Sequence, residues 1–116
     1  MRRLIVPVTC LIFMSLISCE QYIIDLPDVP TDVSYSADVQ PIFDANCTAC
    51  HNGGTDPNLS SGNSYDALID DGFVDTGDPE ASLIYVVLTE GAHASRATDL
   101  EKLTILGWIM EGAEDN

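Results

Sequence analysis

Positive charge is scarce in this chain: among 116 residues, four lysines and arginines stand against nineteen aspartates and glutamates. Phosphate recognition rests on clustered Lys and Arg, so nucleic acid is excluded as a partner class. Histidine is scarcer still, with only His51 and His93. Methionine occurs at Met1, Met14 and Met110. Beyond the opening residues, no apolar run approaches the ~20 residues that a membrane-spanning helix needs. Internal repeats and low-complexity segments are also absent. The acidic cluster Asp70, Asp71, Asp75 and Asp78 does not have the D-x-D-x-D-G spacing of a calcium loop and reads as solvated loop.

The start of the chain reads as a processed leader. Arg2 and Arg3 give it a positive beginning, and Leu4 to Ile17 is mostly apolar but too short for a permanent anchor. Its end, Leu16-Ile17-Ser18-Cys19, resembles the lipobox of bacterial lipoproteins. That resemblance implies a signal peptide over residues 1–18, cleavage before Cys19 and lipidation of Cys19. An ordinary secretory leader that ends in a cysteine is the alternative. Loss of Arg2 and Arg3 leaves Arg96 and Lys102 against nineteen acidic residues, a net charge of about −17. Such a surface draws a basic partner through long-range attraction, or it serves solubility alone. Residues 19–33, with Pro27 and Pro30 and no sustained periodicity, read as a flexible tether. Residues 34–116 then form one small domain, of a size at which a cofactor commonly supplements the core.

What is present, and specific, is Cys47-Thr48-Ala49-Cys50-His51. A C-x-x-C-H run reads as a covalent haem attachment site. Two thiols three positions apart can each form a thioether to a haem vinyl group, and His51 can reach the iron as its proximal ligand. The other readings of C-x-x-C are half a zinc site and a thiol/disulfide redox pair. Structural zinc wants two further ligands beyond the pair, and only the two histidines remain. A redox pair normally opens a helix in a βαβ setting, which the pattern does not show. With Cys10 in the leader, Cys19 lipidated and Cys47 and Cys50 on haem, no disulfide is expected. Leader, lipid and haem all require a bacterial protein working outside the cytoplasm, on the periplasmic or cell-surface side of a membrane.

Four short helices are expected. The first begins near Ser36 or Asp38 and carries Val39, Ile42, Phe43 and Cys47 on one face, with Pro41 in its first turn. A loop follows, Asn52 to Asn58, anchored inward by Leu59. A second helix runs from Tyr65 to Asp70, with Tyr65, Leu68 and Ile69 as apolar contacts, and ends at Gly72. Asp78-Pro79-Glu80 starts a third that reaches Leu88, with Leu83, Ile84, Val87 and Leu88 inward. Thr98-Asp99-Leu100-Glu101 is a capping box for the last helix, whose stripe is Leu100, Leu103, Gly107 and Met110, with Leu106 beside it and Ile105, Trp108 and Ile109 widening the apolar face, and which stops at Gly112. Gly107 inside it suggests a close crossing with another helix, for which Phe43 and Trp108 are the candidates.

In this order the features resemble a class I-type cytochrome c domain. The likeness includes Asp38-Val39-Gln40-Pro41-Ile42-Phe43, Gly77-Asp78-Pro79-Glu80-Ala81-Ser82 and Trp108-Ile109-Met110-Glu111-Gly112-Ala113. It implies an all-α, cytochrome c-like fold around one covalent haem c, with the first and last helices crossing. It also implies an iron that alternates between ferrous and ferric states. Such domains usually place a methionine ligand in the loop before the last helix, often directly after a histidine; here Ala94 follows His93. His93 is therefore the candidate sixth ligand, with Met110, inside the last helix, as the alternative.

The expected function is that of a membrane-anchored, monomeric carrier of single electrons to and from a redox partner protein, not an enzyme. The alternative is a five-coordinate haem domain that binds or senses a small ligand, with His93 or Arg96 as its polar distal group. A third reading is a surface lipoprotein whose cysteines are plain thiols or hold metal.

Overall fold

The computed structural model of the protein describes residues 27–116. The leader, the Cys19 lipidation site and the first part of the expected tether lie outside the described residues. The described residues are all helical, as expected, with four short α-helices and no strand. The architecture is compatible with a cytochrome c-like arrangement.

The first helical segment is a wide π-type turn, Tyr35–Val39, that runs directly into α1, Gln40–Asn46. Its cap is Ser34 rather than Ser36 or Asp38: Ser34 Oγ accepts from the Ala37 N–H, and the Asp38 carboxylate accepts from the Ser34 N–H at 2.9 Å. This reciprocal pair satisfies donors that a helix start leaves open. Pro41 sits in the first turn of α1, as expected. Val39, Ile42 and Phe43 are buried, and Cys47 follows on the same face, half-buried.

Helix α2 spans Ser64–Asp70 with Leu68 buried. Ile69, expected inward, is exposed. The third segment also departs from expectation. Pro79–Ala81 forms only a 3₁₀ turn, and α3 begins afresh at Leu83–Thr89 after an extended Ser82. The reason is local hydrogen bonding. Buried Ser82 Oγ accepts from the Asp75 N–H at 2.8 Å and donates to the Asp75 carbonyl, which pulls the chain out of helical geometry. Asp78 makes no side-chain cap. Leu83, expected inward, consequently points to solvent, while Ile84 and Leu88 are buried.

Helix α4, Asp99–Met110, starts with the expected capping box, and Gly112, at φ +104°, ends it. The expected apolar face is buried at its middle but not at its ends. Leu100 and Met110 are exposed at 57% and 59%, and the buried residues are the consecutive run Ile105 to Ile109. A helix buried on all sides over one stretch is covered from more than one direction. On one side Trp108 packs against Tyr35 and Tyr65, with ring centroids 5.0 and 6.2 Å away. The last helix thus meets the first helical turn through Tyr35, and Phe43 lies buried in the same core as Trp108.

On the other side lies the incoming chain. A Cβ at Gly107 would collide with the Pro30 carbonyl and stand 3.3 Å from Val33 Cγ2. The glycine therefore admits a backbone strap rather than another helix. The strap is tied by Glu111, whose carboxylate accepts from the N–H groups of Asp32 and Val33 at 2.6 and 2.9 Å. Val33 is buried, so the packed unit begins upstream of the expected boundary at Ser34.

Gly107→Ala tests the strap. Helix propensity alone would stabilise the variant by ~1 kcal/mol. Collision with a backbone carbonyl instead predicts destabilisation of about 1–3 kcal/mol in urea unfolding, and a gain in stability would show that Pro30 does not pack there.

Candidate functional site

The motif lies at the C-terminal end of α1. The helix does not stop cleanly: the Phe43 carbonyl accepts from the N–H of both Cys47 and Thr48, and the Cys47 carbonyl accepts from those of Cys50 and His51 at 3.1 and 2.9 Å. These bonds coil the five motif residues into one tight turn, with Cys47 half-buried, Cys50 exposed and His51 half-buried. Asn46, one residue ahead, donates to Glu101 in the first turn of α4 at 3.2 Å. Glu101 also accepts from the backbone and side chain of Thr98, and these bonds, led by the backbone one, hold its carboxyl below the usual range. The start of the motif is thereby fastened to the capping box of the last helix.

The loop after the motif folds back on it. The Leu59 N–H donates to the His51 carbonyl at 2.8 Å, and His51 Nδ1 lies 3.1 Å from the Pro57 carbonyl. A carbonyl only accepts, so Nδ1 is the donor, and in the neutral ring the lone pair is on Nε2. This is the arrangement that orients a metal-binding imidazole. Leu59 is buried, as expected for the loop's anchor.

Cys47, Cys50 and His51 all border one cavity of about 280 Å³. Its apolar walls are Pro57, Leu59, Phe73, Ile84, Val87 and Leu88, contributed by the motif loop, the loop after α2, and α3. Asn46, Ala49, Asp56, His93 and Arg96 complete the rim. His93 arrives from the chain after α3, in a 3₁₀ turn over Gly91–His93, where Gly91 adopts φ +75°. The His51 and His93 rings are 6.2 Å apart between centroids and inclined at 51°. Met110 does not border the cavity; it is exposed at the far end of α4.

Several properties bear on what this site can do. Burial, and secondarily Glu101, pushes the Cys47 thiol up, opposite to the shift that makes a redox-active thiolate. Among the described residues, no group of three or more Cys, His, Asp or Glu side chains converges as a metal ion would require. The cavity is instead suited to a large, mostly apolar group that meets two thiols at one edge and an imidazole. Sequence reasoning identified Cys47, Cys50, His51, His93, Leu59 and the inward residues of α3. It missed Phe73, which stands in a loop without periodicity, and the Pro57 carbonyl, which has no side-chain signature. The latter has a direct readout: nitrogen NMR of the protein should find His51 as the Nδ1–H tautomer, and an Nε2–H ring would contradict the hydrogen bond to Pro57.

No protein-family model and no curated protein matches the chain. A solved structure, the hydrazine synthase of Kuenenia stuttgartiensis, is similar in fold, with a TM-score of 0.61 and 23% sequence identity. The match covers 66% of this chain and 15% of that one, so the chain corresponds to a small part of its neighbour.

Proposed function

We propose that this chain is an exported, lipid-anchored domain that holds one haem c covalently and carries single electrons. The observation that carries the reading is the convergence of Cys47, Cys50 and His51 on one apolar cavity, with His51 Nδ1 committed to the Pro57 carbonyl. A redox dithiol leaves that histidine unexplained, and a zinc site would need three or more converging ligands, which no group among the described residues provides. Haem, when bound, supplies an iron that accepts one electron and gives one back.

The chain's own residues do the rest. Cys47 and Cys50 would hold the haem, each S–H adding across one vinyl group to give a thioether without need of an oxidant. His51 would present Nε2 to the iron, with the Pro57 carbonyl fixing the ring's orientation and raising its basicity. Leu59, Phe73, Ile84 and Leu88, which line the cavity, would exclude water from the bound group and so favour the less charged state of its iron. Exposed Cys50 sits at the rim, where a haem edge would meet a partner. Arg96, also at the rim, is suited to a propionate carboxylate.

The reading needs no substrate chemistry, and the chain acts as a carrier rather than an enzyme. The excess of nineteen acidic residues over four basic ones suits a basic redox partner. Among the described residues, no helix is long and apolar enough to cross a membrane, and anchorage rests on lipid at Cys19. The leader and the haem together imply work on the outer side of a bacterial membrane.

Expression of the full chain in a bacterial periplasm with haem c maturation machinery should give a polypeptide that keeps its haem after denaturation. Cys47→Ala or Cys50→Ala should leave a single thioether, and the double variant none. Recovery of the chain without covalent haem would refute the reading.

A further inference from the structure

We propose that His93 is the second axial ligand of the iron, so that this domain is a bis-histidine cytochrome without a vacant coordination site. The proposal rests on the covalent haem reading above and concerns the face of the iron that the C-x-x-C-H motif leaves unassigned.

The argument begins with distance. Two imidazoles bound through nitrogen on opposite sides of one metal, at ~2.0 Å per bond and about 1.1 Å from nitrogen to ring centre, have centroids about 6 Å apart. The His51 and His93 centroids are 6.2 Å apart. An inclination of 51° rules out a parallel stack of the two rings, whereas axial ligands tolerate any angle between their planes. The two histidines also reach the cavity from different segments of the chain. His51 is held by the motif turn and by Pro57, and His93 by the 3₁₀ turn that follows α3.

Elimination among the other rim residues points the same way. Arg96 has no lone pair to offer, since its guanidinium stays protonated. Asp56 precedes the Pro57 carbonyl that holds His51 and so belongs to the side His51 already occupies. Met110, the usual type of second ligand, does not border the cavity, whereas His93, though also exposed, does. The backbone supports His93 in its place: the His93 carbonyl accepts from the Arg96 N–H at 2.9 Å, and the Gly91 carbonyl accepts from the Ala94 N–H at 3.3 Å. These bonds tie the turn to the residues that lead into α4.

Two consequences follow. An iron with imidazole on both faces has a lower reduction potential than one with imidazole and thioether. It also offers no site to oxygen, nitric oxide or carbon monoxide, which separates this carrier from a ligand-binding haem domain.

The test uses the haem-loaded full chain. The ferric protein should be low-spin, and the ferrous protein should not bind carbon monoxide. His93→Ala should lose the low-spin signature and gain carbon monoxide binding, and added imidazole should restore the original spectrum. His93→Met should stay low-spin with a raised potential, and Met110→Ala should change nothing. A high-spin or carbon monoxide-binding unsubstituted protein overturns the proposal even if neither His93 variant accumulates. A low-spin spectrum that survives His93→Ala unchanged, or that is lost in Met110→Ala, overturns it as well. Absence of covalent haem would instead remove the reading on which the proposal rests.

Discussion

Burial of the middle of α4 is the constraint on which the remaining architecture depends. Ile105 to Ile109 are covered on one side by the aromatic pair Tyr35 and Tyr65 against Trp108, and on the other by the strap from Pro30 to Val33. That double cover fixes the first helical turn relative to the last helix, and α1 continues from that turn without a break. The motif at the end of α1 is therefore placed by packing that lies at its other end. Helix α3 also packs on α4, and it carries both the apolar wall of the cavity and the turn with His93.

A domain that keeps an apolar cavity open on one side needs firm ties on the other, because a small core is only marginally stable. Buried hydrogen bonds supply them. Tyr35 donates to Ser64 at 2.6 Å, Ser64 to Gln40, and Gln40 to the carbonyl of Leu59 at 3.1 Å. This chain of bonds runs from the α4 contact to the anchor of the motif loop. Burial pushes the Tyr35 hydroxyl up to about 12, so it stays a donor throughout the physiological range. Among the described residues, every buried side-chain polar atom has a partner, which is what low dielectric surroundings demand.

What the sequence made legible is what local chemistry determines. The capping box at Thr98 and Glu101, proline in the first turn of α1 and the C-x-x-C-H turn all follow from short-range rules, and all are present. The inward residues of α1 were legible from helical spacing. In α4 the wide apolar face through Ile105, Leu106, Trp108 and Ile109 was legible too, whereas the exposure of Leu100 and Met110 was not, because periodicity extends one buried face along the whole helix and this helix is covered only at its middle, from two sides. Gly107 correctly signalled a close approach, but its partner is a segment with no periodicity of its own. Ser82 broke the third helix through a bond to Asp75 that no local pattern announces. At the site, the motif side chains could be read, while Phe73, in a loop without periodicity, and the Pro57 carbonyl that accepts from His51 could not.

The central claim is that one iron joins the two histidines of this chain, held by the two thiols of a single turn. Anomalous diffraction at the iron edge from crystals of the haem-loaded protein tests it most directly. The account predicts one iron between His51 Nε2 and the His93 ring, with continuous density from Cys47 and Cys50 to the porphyrin. An iron bonded to His51 but open on the side of His93, or no iron in this cavity, would contradict it.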